Sequence, residues 1–141
     1  MTKSIRQSTL QTLGLGSVIE IFCNGRLPVD TGDMVNRVFG NPDDRGSLVI
    51  SGANGIVGAG KMMQLTSRLE PFGVKSISLS RSRTLDGIAP CYPGLVETFG
   101  KEQADRIMGN IVRVNYDGYS LPADLRKWQP RFLLEAIPEI L

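Results

Sequence analysis

Histidine is absent from this chain. Within these residues, that removes any mechanism built on an imidazole base, nucleophile partner or metal ligand. Cysteine is scarce. Cys23 and Cys91 lie far apart and fit no metal or redox spacing, so they read as unpaired thiols in a reducing compartment. Net charge is also small: 16 basic residues against 14 acidic ones leave a formal charge of +2. That is too close to neutral to argue for attraction to nucleic acid or to a membrane surface. No apolar run reaches transmembrane length, and no secretory h-region follows Met1-Thr2-Lys3-Ser4-Ile5-Arg6. A cytoplasmic protein is the expectation. The remaining composition, 41% hydrophobic and 21% charged, is that of an ordinary globular protein. A length of 141 residues is enough for one domain or part of a larger one.

Glycine is plentiful, and its most informative cluster lies in SLVISGANGIVGAGK, residues 47–61. Leu48, Val49 and Ile50 form a short apolar run. Gly52, Gly55, Gly58 and Gly60 follow, and then Met62-Met63-Gln64-Leu65, which favours a helix. A buried strand, a glycine turn and a helix start are what a phosphate-binding corner needs. A turn without side chains lets a phosphate reach the backbone, and a helix N-terminus offers free N–H donors and positive dipole.

The flanking sequence supplies an α/β rhythm. Ahead of it, residues 10–23 are apolar but interrupted by Gly14 and Gly16, and residues 17–22 fit helix or strand equally. Asp30 or Thr31 can cap a short helix through Met34, Val35 and Phe39, stopped by Gly40. Residues 41–46 read as a loop. A strand over 47–51 then leads through the glycine turn to a helix over 56–69, ended by Pro71 and Gly73. Alternation predicts a strand over 74–80. Leu95, Val96, Phe99, Ala104, Ile107 and Met108 predict one helix over 93–108, with Gly109 as its stop. A third short strand fits 111–114, a helical turn or two fits 122–128, and a strongly apolar strand fits 131–137. This β-α-β-α-β-α-β order predicts a parallel α/β sheet over residues 47–141, with residues 1–46 as a mainly helical N-terminal extension.

Two phosphate-binding patterns fit the same glycines. Gly55 to Lys61 matches GxxxxGK, the body of a P-loop, but the next residue is Met62 where a magnesium-binding hydroxyl is needed. Gly52-x-x-Gly55-x-x-Gly58 matches the first turn of a dinucleotide-binding fold, with a first gap one residue longer than in GxGxxG. A purely structural turn is the third reading. A short-chain reductase or epimerase would also use GxxGxxG, but that class needs Tyr-x-x-x-Lys, and Tyr92, Tyr116 and Tyr119 have no lysine four residues on.

Two segments carry a family resemblance. Gly55-Ile56-Val57-Gly58-Ala59-Gly60-Lys61-Met62 resembles the GxMGxGIA turn of the 3-hydroxyacyl-CoA dehydrogenase NAD-binding domain. Phe132-Leu133-Leu134-Glu135-Ala136-Ile137-Pro138-Glu139 resembles the family's fourth-strand signature, VIEAIPE. The resemblance covers roughly Gly46 to Leu141 and implies a Rossmann-like NAD(P)-binding domain. It implies an oxidoreductase of fatty-acid metabolism, moving a hydride between a nicotinamide cofactor and a 3-hydroxyacyl-CoA. Gly52, Gly55 and Gly58 would line the pyrophosphate, with Asn54, Ile56 and Val57 between and beside them. Glu139 matches the glutamate beside the nicotinamide ribose, and Glu135 a position at the strand end.

This chain departs from the family in three places. Where an acid usually ends the second strand, the sequence reads Leu79-Ser80-Arg81-Ser82-Arg83. The resemblance implies NAD as the cofactor; Ser80 and Arg81 are then cofactor-binding candidates, and arginine there suits a 2′-phosphate, which adds NADP as the alternative, a solvated basic loop being the other reading of these residues. Lys61 stands where the family has an apolar residue. It either sits at the phosphates or covers the helix surface. In the family, the catalytic histidine–glutamate pair, a serine and asparagine, and the dimerising helical domain all follow the fourth strand. The expectation is therefore an N-terminal portion of a longer dehydrogenase, with acyl-CoA binding, catalysis and homodimer formation supplied beyond Leu141. The competing expectation is a non-catalytic nucleotide-binding or regulatory module.

Overall fold

The computed structural model describes residues 30–81, 85–117 and 119–137. The chain divides into two compact units, Met1–Met34 and Val35–Leu141. In the first, the described part is the start of helix α1 (Thr31–Phe39), where Asp30 Oδ1 accepts the Asp33 amide at 3.0 Å. Asp30 is thus the cap. The helix ends at Gly40, whose φ of +88° is a left-handed conformation open to glycine.

The second unit is a Rossmann-like α/β arrangement. Its strands are β1 (Ser47–Ser51), β2 (Ser76–Arg81), β3 (Ile111–Tyr116) and β4 (Pro130–Glu135). They form one sheet in the order β3-β2-β1-β4, with every pairing parallel. Helix α2 (Ile56–Leu69) connects β1 to β2, and α3 (Tyr92–Phe99) and α4 (Lys101–Gly109) connect β2 to β3. A 3-10 helix, Ala123–Trp128, connects β3 to β4.

Strand alternation sends apolar side chains to both faces of the sheet. Leu48 and Ile50 pack with Ala59 and Met62 of α2, with Val35 and Phe39 of α1, and with Val74 and Ile88. Val49, Ile77 and Leu79 face the other way and pack with Leu125 of the 3-10 helix, alongside Val112, Val114 and Trp128. Two-sided burial explains why Leu48-Val49-Ile50 is a continuous apolar run. Thr66 of α2 donates a buried hydrogen bond to Ser76 Oγ at 2.8 Å, which ties the helix to β2. At the open edge, β4 leaves Phe132 and Leu133 exposed.

Several element boundaries differ from the sequence reading. The helix expected over 93–108 is two helices, because Gly100 adopts φ +84°. Its amide closes α3 on the Val96 carbonyl, and its own carbonyl accepts the Ala104 amide of α4. β2 starts at Ser76, after Val74 has already turned into the core, and runs on to Arg81. β3 continues through Tyr116, and β4 stops at Glu135. Among the described residues, no helix is long and apolar enough to cross a membrane.

Candidate functional site

The glycine turn leaves the carboxyl end of β1, between the ends of β2 and β4. β1 sends the chain to β2 on one side, and the chain returns at β4 on the other. In open α/β sheets this reversal of strand order opens a crevice beyond the carboxyl ends of the strands. The turn is stitched to both neighbours. The Gly52 amide donates to the Leu79 carbonyl at 3.0 Å, and the Ala136 amide donates to the Ser51 carbonyl at 2.8 Å.

Gly52 and Gly58 are glycines for different physical reasons. Gly52 has φ +77°, and a Cβ there would lie 2.9 Å from the Ala136 carbonyl carbon and oxygen. A side chain would strain the turn and push against the exit of β4. Gly58 sits in the first turn of α2, and a Cβ would collide with the Gly52 carbonyl oxygen. Its small size lets the helix lie directly on the turn. Among the described residues, Gly55 has no comparable reason. Its φ of −73° and ψ of 169° suit any residue, and a Cβ would meet only Gly52 O at 3.5 Å.

Gly55 is the N-cap of α2 and supplies no side-chain cap. Its amide is taken by Gly52 O, and its carbonyl accepts the Ala59 amide. Helix geometry leaves the amides of Ile56, Val57 and Gly58 as the donors without an intrahelical acceptor. The first turn contains no acidic residue, so nothing in it opposes an anion. Ile56 is 97% exposed and Val57 68% exposed, which places two apolar side chains in the open beside those donors. Gly60 and Lys61 are already helical and exposed. The segment from Ile56 to Gly60 is therefore not the extended loop with which a P-loop wraps phosphate, and Lys61 belongs to the outer surface of α2.

Around the turn, two buried polar atoms have no hydrogen-bond partner among the described residues: Asn54 Oδ1 and Ser80 Oγ. Both belong to residues singled out from the sequence. Arg81 is exposed at the end of β2, paired in register with Tyr116 of β3. Asp117 follows directly. The amides of Ser120 and Tyr119 hold its carboxyl below the usual carboxylate range, and the Arg81 guanidinium adds to that effect. An acid therefore does stand near the end of β2, supplied by the neighbouring strand. Glu135 is exposed, and its Oε1 accepts the Ile137 amide at 2.8 Å, a local role at the strand exit. Glu139, Ser82, Arg83 and Cys23 lie outside the described residues.

One contributor was not anticipated from the sequence. The segment 86–89 folds back against the turn, and a Cβ on Gly87 would collide with the Asn54 carbonyl oxygen. Asp-Gly pairs favour turns, a signal present at Asp86-Gly87, but nothing in the sequence indicates that the pair rests on Asn54.

Comparison of the chain with protein-family models, with curated proteins and with solved structures gives no match. The functional reading therefore rests on the residues and their arrangement.

Proposed function

We propose that this protein binds the pyrophosphate of a nicotinamide dinucleotide on the β1–α2 turn, as the cofactor-binding portion of an oxidoreductase similar to 3-hydroxyacyl-CoA dehydrogenase. The observation that carries this reading is Gly55. It is a glycine for which neither backbone strain nor packing gives a reason, at the head of a helix with open amide donors, at the reversal of strand order. A bare backbone at that point admits a phosphate to the amides of Ile56, Val57 and Gly58. The donor set and the absence of acids in the first turn fit a diphosphate. The two apolar side chains beside it fit the less polar parts of a dinucleotide.

Bound there, a nicotinamide cofactor would supply the hydride chemistry, while the chain's own part is binding and orientation. With no histidine in the sequence, the family's histidine base is not among these residues. The acyl-CoA substrate, the catalytic pair and homodimer formation belong to the proposal only as properties of a longer enzyme. A cytoplasmic setting belongs to the same proposal, in keeping with two cysteines at no metal or redox spacing. Arg81 favours NADP over NAD through charge-assisted contact with a 2′-phosphate, and the negative charge of Asp117, close enough for the two charges to interact, works against that preference.

The absent histidine also supports a second reading, a nucleotide-binding module that performs no catalysis. Gly55→Val tests what both readings share. Valine at the cap costs about 1 kcal/mol of stability, and its Cβ meets only ordinary van der Waals contact with Gly52 O. Dinucleotide binding should be abolished while the melting profile stays close to that of the parent. Unchanged affinity would contradict the phosphate-turn assignment.

A further inference from the structure

Segment 86–89 is held from three directions. Asp86 Oδ1 accepts the Ile88 amide at 2.9 Å, the Ala89 amide at 3.2 Å and Arg113 Nη1 at 2.7 Å. Arg113 belongs to β3, so the segment is anchored to the sheet. Ile88 is fully buried in the core cluster that also contains Ala53 and Ala59. The half-buried Cys91 Sγ contacts the Gly87 carbonyl at 3.4 Å. What the segment presents to the glycine turn is the bare backbone of Gly87, set against the Asn54 carbonyl.

We propose that Asp86 and Gly87 are positioning residues for the phosphate-binding turn: Asp86 fixes the segment to β3, and Gly87 acts as the stop against which Asn54 and Gly55 are set. The inference rests on the dinucleotide reading of that turn. The physical argument is one of competing constraints. Gly52 is held by a positive φ and by β4, and Ala53 is fully buried. Asn54 and Gly55 are only half-buried, so they are the part of the turn able to move. They are the residues that deliver the chain to the helix amides. Displacing them misaligns the donors, and a donor moved by about 1 Å no longer makes a hydrogen bond. Asp86 and Gly87 need not touch the ligand. They act through the turn.

The test uses the full chain and two probes, ADP and adenosine, titrated calorimetrically. Adenosine lacks the phosphates, so a misaligned turn should penalise ADP alone. Gly87→Ala should weaken ADP by about tenfold or more and leave adenosine unchanged. Asp86→Ala removes the anchor at an exposed side chain and does not depend on tolerance of a clash. It should weaken ADP by about threefold, and Asp86→Asn, which keeps an oxygen for both amides, should restore most of the loss. If the parent binds ADP and a folded Asp86→Ala binds it equally well, the positioning role is overturned while the dinucleotide reading stands. If the parent shows no preference for ADP over adenosine, the phosphate-turn reading and this inference fall together. A parallel loss of ADP and adenosine in the variants would indicate general destabilisation and would overturn the positioning role.

Discussion

The Gly52 carbonyl oxygen occupies the space in which a side chain on Gly58 would begin, and the Ala53 Cα lies 2.8 Å from that same point. Helix α2 therefore rests on the backbone of the turn itself. Gly58→Ala must lift the helix or distort the turn, at a cost on the order of 1–3 kcal/mol. Gly60, one helical position pair further on, is exposed and has nothing within 4 Å of a would-be Cβ. Gly60→Ala should stabilise by about 0.5–1 kcal/mol, because alanine loses less backbone freedom on entering a helix. Thermal melts of the two variants check this. The account expects Tm shifts of opposite sign.

The Asp86–Arg113 ion pair makes stability depend on pH in a defined direction. The Arg113 hydrogen bond, helped by the Ile88 and Ala89 amides, holds the Asp86 carboxyl below its ordinary value of 3.8. A carboxylate lowered on folding contributes stability above its unfolded pKa and loses it as pH falls through its folded one. Both side chains are 44% exposed, so solvent screening keeps the contribution to about 1 kcal/mol or less. The stability difference between the parent and Asp86→Asn should be constant near neutrality and shrink below about pH 4. Denaturant titrations across that range measure it.

Cofactor preference should follow Arg81, the last residue of β2, and Arg83, two positions on in the sequence. The double variant Arg81→Ala with Arg83→Ala should lose about tenfold in NADPH affinity relative to NADH. Asp117→Asn should move the preference the other way, because it removes a negative charge that acts on the Arg81 side of the sheet. Competitive titration with both cofactors reads each change. Equal losses for the two cofactors in the double variant would remove the argument for a 2′-phosphate site.

Where local chemistry decides structure, the sequence was readable. Leu48-Val49-Ile50 before a glycine predicts β1, and Pro71 with Gly73 predicts the end of α2. The parallel sheet follows from the β-α alternation, whereas the strand order, with its reversal at β4, does not. The reading failed at Gly100 because the apolar positions of α3 and α4 keep a nearly helical rhythm across the break. Leu95, Ala104 and Ile107 join one core cluster from two helices, which made them look like one. The glycine itself was the available signal. At the site, the glycine spacing announced a tight turn leading into a helix. The packing of Gly87 on Asn54 and the tie from Asp86 to Arg113 were not announced, since both join residues distant in the chain that only the folded sheet brings together.

The most direct test of the phosphate-binding turn is an amide-resolved NMR titration of the full chain with NADH. The account predicts that the amide resonances of Ile56, Val57 and Gly58 move most and saturate together, with smaller shifts at Ser80 and Arg81. Saturable shifts confined to other parts of the sheet, or none at the head of α2, would contradict it.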